Sequence, residues 1–303
     1  MRGTVLTGRN NIFTVDAGTR LLCRIKGKTL ALEERSYNPL APGDEVRLSG
    51  VDLRNATAVI DERLPRRNSF ERYNRKREAL QTLAANVDYV VPVMSVREPA
   101  FRDRFVDRVL ALAEHHGIAA IVALTKCDRD EELALHESTR YERFGYPVHR
   151  LRADRPESYD ALRERLRGNR SVLVGQSGVG KSTVLNALLK GEHQRTGSVS
   201  GSNLRGRHTT NAAHLIEADS LEIVDTPGIR ELDCRHIPLH LLDRCFPDFE
   251  PCLGRCEHDD CRHIDEPGCA IRAAVAAGDL DAVRYESYLR LSEELVGLQE
   301  DYS

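Results

Sequence analysis

The sequence predicts an α/β protein with a small β-barrel before its main sheet and a cysteine-rich helical segment after it. Three observations support this prediction. Short strands separated by turn signals occupy residues 1–65, strands and helices alternate from residue 86 to residue 225, and five cysteines lie between residues 245 and 269. The alternation predicts a parallel sheet with helices on both faces, whose ligands bind at the carboxyl ends of its strands.

The first 65 residues are predicted to form a closed barrel of short strands. Basic side chains at mostly even spacing share one face of a strand and its turn, at Arg20, Arg24, Lys26 and Lys28. Two interpretations fit these residues equally well: an oligonucleotide-binding barrel, and a small β-domain with a solvated basic face. The predicted strands span residues 3–6, 11–15, 20–25, 44–48 and 56–60.

Residues 64–77 are predicted to be a basic connector, with six Lys or Arg. Such a run is usually solvated, but Phe70 and Tyr73 lie between the arginines and can stack on nucleic acid. Residues 1–80 contain sixteen Lys and Arg against ten Asp and Glu, whereas residues 233–303 contain seven against sixteen. This asymmetry favours contact between the N-terminal part and a polyanion.

Targeting and membrane segments are not expected in this chain. Its start, MRGTVLTGRN, lacks the apolar core of a signal peptide, and its longest apolar run is too short to span a bilayer. We therefore expect a cytoplasmic protein without a membrane partner. In a reducing compartment, the clustered cysteines favour a metal site over disulfides.

The alternating part is organised around SVLVGQSGVGKSTVLNALL at residues 171–189. Its apolar start predicts a buried strand and its amphipathic end predicts a helix. Between them, Gly175, Gly180, Lys181 and Ser182 match the G-x-x-x-x-G-K-[ST] pattern of a phosphate-binding loop. Glycines let successive N–H groups point at phosphate, and the helix start adds partial positive charge. We expect Lys181 to neutralise the β- and γ-phosphates and the Ser182 hydroxyl to bind Mg²⁺.

A second motif, Thr125-Lys126-Cys127-Asp128, follows an apolar strand predicted at residues 118–124. The Asp128 carboxylate can accept hydrogen bonds from N1 and N2 of guanine, and adenine offers no matching pair of donors. A site built on such bonds rejects the wrong base by roughly 10⁴ or more. The alkyl part of Lys126 can lie over the base. Beside a phosphate-binding loop, this motif favours a guanine nucleotide.

A third motif, Asp225-Thr226-Pro227-Gly228, follows an apolar strand predicted at residues 221–224. We expect Asp225 to hold Mg²⁺ through water and the Gly228 N–H to reach the γ-phosphate.

A fourth motif, Gly206-Arg207-His208-Thr209-Thr210, lies in the polar stretch 191–211. A segment this long and polar is expected to become ordered around the γ-phosphate, which would make it a switch. Thr210 is favoured as its Mg²⁺ ligand, with Thr209 as the alternative.

The order of the motifs is unusual, because the guanine-binding Asp128 precedes Lys181. In an ordinary GTPase the phosphate-binding loop comes first. Cutting the ring of strands and helices elsewhere and rejoining its ends gives the same fold with this order, and termini that lie close together make this feasible.

With these motifs and Cys256-x₄-Cys261-x-His263-x₅-Cys269, the chain resembles the circularly permuted small ribosomal subunit biogenesis GTPases over nearly its full length. The resemblance implies an N-terminal OB-fold barrel, a circularly permuted P-loop GTPase domain and a C-terminal zinc-binding α-helical domain. We expect these at residues 1–68, 69–232 and 233–303. It also implies a GTPase that is stimulated by the 30S subunit and acts late in its maturation. The expected partners are the 30S subunit and its 16S rRNA, and we expect the chain to be a monomer.

The resemblance also assigns residues. Thr125 stands where the family more usually has Asn, and Arg152-Ala153 aligns with a Ser-Ala pair, so that the Ala153 N–H contact to guanine carries over. The contacts to GTP or GDP are then assigned to Thr125, Lys126, Asp128, Ala153, Gly175, Gln176, Ser177, Gly178, Val179, Gly180, Lys181, Ser182, Thr183, Thr209, Thr210, Asp225 and Gly228.

The catalytic group is also assigned by resemblance. Ile229 follows the third motif where some GTPases place a Gln that orients water, and an Ile side chain cannot polarise water. In the family, the His of the polar loop is thought to take that role, which implies His208 here. Arg207 is the alternative, because it can stabilise charge in the transition state.

The zinc ligands implied by the family spacing are Cys256, Cys261, His263 and Cys269. Three thiolates and one imidazole suit a closed, tetrahedral, structural Zn²⁺ site. Cys252 and His258 are rival ligands, which the family spacing leaves out. Two other functions remain open at this stage: an RNA-binding assembly module with a regulatory or slow nucleotide site, and an ATP-using P-loop enzyme such as a kinase.

Overall fold

The computed structural model describes residues 1–9, 11–26, 38–189, 213–229 and 232–300, with backbone alone for residues 298–300. Within these ranges the chain forms a closed barrel, a hairpin, a mixed sheet with helices and a C-terminal segment rich in short 3₁₀ turns. Among the described residues, no helix combines the length and the apolar character that crossing a bilayer requires.

The predicted barrel is confirmed. Its five strands close in the order β1-β2-β3-β5-β4. Alternate side chains such as Val5, Val15 and Ile60 point inward and are fully buried, which gives the barrel a core of its own. The strands are β1 (Arg2–Arg9), β2 (Ile12–Asp16), β3 (Arg20–Ile25), β4 (Glu45–Asp52) and β5 (Thr57–Arg63).

The predicted basic connector is wrong for most of its length. Strand β6 (Ser69–Asn74) pairs with β7 (Ala79–Ala85) in an antiparallel hairpin. Phe70 is fully buried in the main core, so it is not available to stack on nucleic acid. The charged residues concealed this strand because Phe70 is its one buried side chain.

The main sheet has the strand order β11-β10-β8-β12-β14-β13, with β9 beside β8. Central strands such as β8 are buried on both faces and therefore form continuous apolar runs. The strands are β8 (Tyr89–Ser95), β9 (Ala119–Ala120), β10 (Val122–Thr125), β11 (Val148–Arg150), β12 (Arg170–Val174), β13 (His214–Ala218) and β14 (Leu221–Asp225).

The prediction of an all-parallel sheet is wrong at one edge, because β13 runs antiparallel to β14. The two strands are joined by Asp219 and Ser220, both with positive φ, 46° and 61°. A two-residue connection of this kind forms a tight hairpin, whereas parallel neighbours need a crossover of a dozen or more residues.

Six α-helices lie within the described ranges. Helix α1 packs against β8 and against the C-terminal helix α6, while α3 packs against α4. Asp130 is the N-cap of α2, and its side chain accepts a hydrogen bond from the Leu133 N–H; Gly278, with φ of 81°, is the C-cap of α5. The helices are α1 (Asp103–His115), α2 (Glu131–Arg143), α3 (Asp160–Leu166), α4 (Lys181–Leu188), α5 (Ala270–Ala277) and α6 (Ala282–Glu300).

Candidate nucleotide site and metal centre

Four parallel strands end at the same edge of the main sheet: β10, β8, β12 and β14. Three of the sequence motifs follow strands of this set, so the topology brings Asp128, Lys181 and Asp225 to one edge although they are far apart in the chain. This is the edge at which ligands of open α/β sheets bind.

The phosphate-binding loop lies between β12 and α4, as its pattern predicts. Gly178 and Gly180 have φ of 82° and 95°, in the left-handed region that favours glycine. Gly175 passes so close to the Val93 carbonyl oxygen that a side chain would collide with it. Lys181 Nζ donates to the Gly175 carbonyl at 3.2 Å, and burial lowers the pKa of this lysine.

The other loop residues that were assigned to the nucleotide lie around this turn. Ser177, Ser182 and Thr183 are exposed, whereas Val179 is buried and Gln176 is half-buried. The N–H groups of the first turn of α4 have no partner within their own helix, which suits an anion.

Residues 125–128, which the sequence predicts to bind the base, are called the base-binding loop. Thr125 and Lys126 connect this loop to the phosphate-binding loop. The Thr125 hydroxyl lies 2.5 Å from the Val179 carbonyl oxygen and 3.3 Å from that of Met94. Lys126, at a positive φ of 56°, donates through Nζ to the Gly178 carbonyl at 2.9 Å and to the Glu98 carbonyl. The side chain of Lys126 therefore crosses the space above the loop, where its stem can cover a base.

Asp128 has the free acceptor that a guanine site requires. Its Oδ1 is buried and has no hydrogen-bond partner among the described residues, while Oδ2 lies 3.5 Å from Arg129 Nε. A buried carboxylate oxygen without a partner is costly in a protein interior. The N1 and N2 donors of guanine would satisfy it.

Arg152 and Ala153 follow β11, the strand next to β10. The Arg152 side chain pairs with Asp154 at 2.9 Å and with Glu131, and its backbone N–H donates to Ser158 Oγ at 2.9 Å. Ala153 is exposed at the turn. Since the Arg152 guanidinium is held by two carboxylates, it does not replace a serine as a hydrogen-bond partner of the base.

The third motif lies against the phosphate-binding loop. Burial raises the pKa of Asp225, an effect that Lys181 and His214 oppose. A Cβ added to Gly228 would lie 3.3 Å from the Ser177 backbone nitrogen, so these two segments touch. Ile229 is buried and donates its N–H to the Gly175 carbonyl at 3.2 Å. The Ile229 side chain therefore packs inward instead of facing a reacting water.

The fourth motif lies outside the described residues, together with Arg207, His208, Thr209 and Thr210. Their roles stay predictions.

Two functional neighbours were missed by the sequence reasoning. Asp130 accepts a hydrogen bond from Arg97 at 2.8 Å and caps the start of α2, and these two contacts fix the loop that carries Asp128. The acidic run Asp130-Glu131-Glu132 is typical of a helix start and could have revealed this role of Asp130. His214 pairs across the strands with Asp225 and lies 3.5 Å from Thr7 Oγ1 of the barrel. No local signal predicts this pairing, because it depends on the antiparallel edge strand.

The cysteine cluster is assembled as the spacing predicts. The donor atoms of Cys256, Cys261, His263 and Cys269 all lie within 4.8 Å of one another. His263 Nδ1 is 3.5 Å from the sulfurs of Cys256 and Cys269. In a tetrahedral site with metal–sulfur bonds of about 2.3 Å and metal–nitrogen bonds of about 2.0–2.1 Å, ligating S and N atoms are about 3.5 Å apart.

The surroundings of the cluster also suit one metal ion. His263 Nε2 faces Asp243 Oδ2 at 3.6 Å, the carboxylate–histidine arrangement that orients metal-binding imidazoles. Cys256 Sγ accepts the Ala270 N–H at 3.3 Å. Within the described ranges, Cys252 and His258 do not join the set.

Comparison with known proteins decides the family. Residues 63–235 match the family model described as RsgA GTPase. The chain belongs to the RsgA GTPase family. It is thus a GTPase, and its motif order is that of a circularly permuted member.

Curated relatives support the same assignment. An RsgA of Borreliella burgdorferi, named small ribosomal subunit biogenesis GTPase, is 35% identical over 295 residues, or 96% of this chain and 95% of the relative. A protein of the same name from Clostridium perfringens is 34% identical over 302 residues, covering 98% of both chains.

Two solved structures match the fold over nearly the whole chain. YjeQ from Thermotoga maritima aligns with a TM-score of 0.74 and 30% identity, covering 98% of both chains. YloQ, described as a circularly permuted GTPase, aligns with a TM-score of 0.72 and 25% identity over 98% of this chain and 95% of its own. The permuted order inferred from Asp128 and Lys181 is therefore confirmed for this fold.

Proposed function

We propose that this RsgA-family GTPase hydrolyses GTP in the service of small ribosomal subunit biogenesis. The observation that carries the proposal is Asp128 Oδ1, which has no hydrogen-bond partner within the described ranges and lies at the same sheet edge as the Lys181 loop, in a chain whose full-length relatives bear that name. We assign residues 1–68 to an RNA-binding barrel, residues 69–232 to the GTPase and residues 233–303 to a zinc-binding domain.

In this proposal the base-binding loop selects guanine. Asp128 accepts from N1 and N2, Lys126 covers the base, and the Ala153 N–H donates to its carbonyl oxygen. Thr125 stays in the predicted set of nucleotide contacts, and its hydroxyl also holds the loop against the Val179 carbonyl. Rejection of adenine follows because Asp128 would face a ring without the matching donors.

The phosphate chain is held by backbone N–H groups of residues 175–183, by Lys181 and by the Gly228 N–H. Ser182 and Thr210 would bind Mg²⁺ directly and Asp225 would bind it through water, with Thr209 as the alternative to Thr210. Mg²⁺, when bound with GTP, neutralises charge on the β- and γ-phosphates. The raised pKa of Asp225 is lowered again by an approaching cation, which favours its ionised form.

Orientation of the attacking water is assigned to His208, with Arg207 as the alternative that stabilises transition-state charge. The Ile229 side chain is apolar and buried, so residue 229 cannot orient the attacking water, and this supports the assignment to His208. His208→Ala is expected to reduce turnover by about 10²- to 10⁴-fold while GTP affinity is retained.

We propose Zn²⁺ as the ion of the Cys256, Cys261, His263 and Cys269 cluster. The thiolate-rich donor set and the 3.5 Å sulfur–nitrogen spacing favour zinc over hard cations such as Mg²⁺ or Ca²⁺.

The proposed partners are the 30S subunit and its 16S rRNA, which the chain meets as a cytoplasmic monomer. Arg20 and Arg24 lie exposed on β3, beside the exposed Leu22. A basic face with an apolar centre suits RNA phosphates and bases, and its contribution to affinity should fall with added salt.

The test is the GTPase rate measured against the concentration of 30S subunits at fixed Mg²⁺, with 50S subunits as the control particle. We expect the GTPase rate to rise to a plateau with 30S subunits but not with 50S subunits. An Arg20→Ala, Arg24→Ala double variant should need a higher 30S concentration for half-maximal stimulation. GTP turnover that 30S subunits leave unchanged would favour the alternative, an RNA-binding assembly module with a regulatory or slow nucleotide site.

A further inference from the structure

We propose that His115, His116 and His236 form a second metal site, suited to Zn²⁺ or another divalent ion that prefers imidazole ligands. His115 ends α1, His116 is its C-cap residue, and His236 lies in the segment that leads from the β14 loop into the C-terminal part. These three side chains are called the histidine cluster below. They share no residue with the cysteine cluster.

The first argument is a distance. Nε2 of His116 and Nε2 of His236 lie 3.3 Å apart, with the two rings stacked at 30°. Metal–nitrogen bonds of about 2.0–2.1 Å in a tetrahedral zinc site place ligating nitrogens about 3.3–3.4 Å apart. The two imidazoles are therefore already spaced as two ligands of one ion.

The third ligand is His115. Its ring centroid lies 5.1 Å from that of His116 and 5.6 Å from that of His236. In the described part of the chain only the cysteine cluster has all donor atoms within 4.8 Å, so His115 reaches the ion by turning its ring. The His115 side chain is only partly buried. Water completes the coordination, as at other three-histidine sites.

The surroundings favour a cation. The Glu71 carboxylate stabilises positive charge on all three imidazoles. A divalent ion between the three rings would meet the negative charge of Glu71.

The ring nitrogen of His116 that faces His236 is Nε2. Phe70 packs edge-on against His116, with centroids 6.2 Å apart.

An ion in the histidine cluster would connect separate parts of the fold. Helix α1, strand β6 and the segment after β14 meet there, and that segment is also held by Asp233, which pairs with Arg75 of the hairpin at 2.6 Å. An ion bound by His115, His116 and His236 would join the nucleotide-binding sheet to the start of the C-terminal part.

The test uses full-length protein that carries its one zinc, titrated with Co²⁺ at pH 7.5. We expect the protein to bind one equivalent of Co²⁺ in addition to its zinc, with d–d absorption but without a thiolate-to-cobalt charge-transfer band. The absence of that band distinguishes this binding from exchange of Co²⁺ for zinc at the cysteine cluster. His236→Gln and His115→Gln should each weaken Co²⁺ binding at least about 10-fold. His240→Ala, at an exposed histidine nearby, should bind Co²⁺ like the natural chain.

Two results would overturn the proposal: no second equivalent in the natural chain, or equal Co²⁺ affinity in the natural chain and in the His115→Gln variant. The His115→Gln variant keeps the proposal testable if His236→Gln fails to fold. The His115 side chain makes no hydrogen bond among the described contacts, so its replacement should not disturb the fold. Retention of far-UV circular dichroism and of the first zinc confirms folding in each variant. Co²⁺ binding is measured without GTP hydrolysis, so its result does not depend on the proposed function in ribosomal subunit biogenesis.

Discussion

The hydroxyl of Thr125 lies 2.5 Å from the carbonyl oxygen of Val179. This contact joins the end of β10, which carries the base-binding loop, to the loop that holds the phosphates. Thr125 is almost fully buried, so no water can replace the bond. The hydroxyl therefore connects the loop that carries Asp128 to the loop that carries Lys181.

Replacing Thr125 by Val should therefore weaken GTP binding without unfolding the chain. Val keeps the shape but leaves the Val179 carbonyl without a donor, which costs about 1–3 kcal/mol. The expected result is roughly a 5- to 100-fold increase in the Kd for a fluorescent GTP analogue. Thr125→Ser is the control, since it keeps the hydroxyl. Equal affinities in Thr125→Val and the natural chain would show that the contact does not order the site.

Arg284 should be essential for stability. It is fully buried on α6, pairs with Asp107 of α1 at 2.5 Å and with Asp248 at 3.3 Å, and lies 4.4 Å from the centre of the Phe246 ring. Arg284→Met leaves both carboxylates buried without their cation, at a cost of about 3–5 kcal/mol in the free energy of unfolding.

Urea denaturation measures this loss, and Arg290→Met on the same helix is the control. Arg290 is half exposed, and its ion pairs with described residues lie at the surface, so its replacement should change stability by less than about 0.5 kcal/mol. If both variants unfolded at the same urea concentration, the C-terminal helix would not be held through Arg284.

Removal of one zinc ligand should unfold the cysteine-rich segment. Cys256→Ser is expected to lose the bound ion, and with it stabilisation on the order of 10 kcal/mol for the segment around the site. Zinc content per chain and protease sensitivity of residues 232–280 measure the effect.

Cys252→Ser is the matched control for the zinc site, because Cys252 lies outside the set of donor atoms. It should retain one zinc per chain. Loss of zinc in Cys252→Ser, or its retention in Cys256→Ser, would show that the ligand set is wrong.

Local chemistry explains which features were predictable from the sequence. The phosphate-binding loop could be predicted because its glycines must have positive φ, as Gly178 and Gly180 do, and because Lys181 begins a helix. The barrel and the motif order were also predictable, because the amino-acid sequence itself shows the short strands with their turns and the position of Asp128 before Lys181.

Features that depend on long-range packing were not predictable. The β6–β7 hairpin was missed because its arginines conceal a strand whose Phe70 packs into the main core. The reversal of β13 depends on the turn at Asp219 and Ser220, whose residue types tolerate several conformations. The proximity of His116 and His236 joins residues 120 positions apart, and no motif marks it.

The most direct test of a guanine-nucleotide site built on Asp128 is calorimetry with GTP, ATP and xanthosine triphosphate on the natural chain and on Asp128→Asn. We expect the natural chain to bind GTP and to discriminate strongly against ATP. The variant should lose about 2–5 kcal/mol toward GTP, because a charged hydrogen-bond partner is removed, and should gain affinity for xanthosine triphosphate. Equal binding of GTP and ATP by the natural chain, or unchanged GTP preference in Asp128→Asn, would contradict the account.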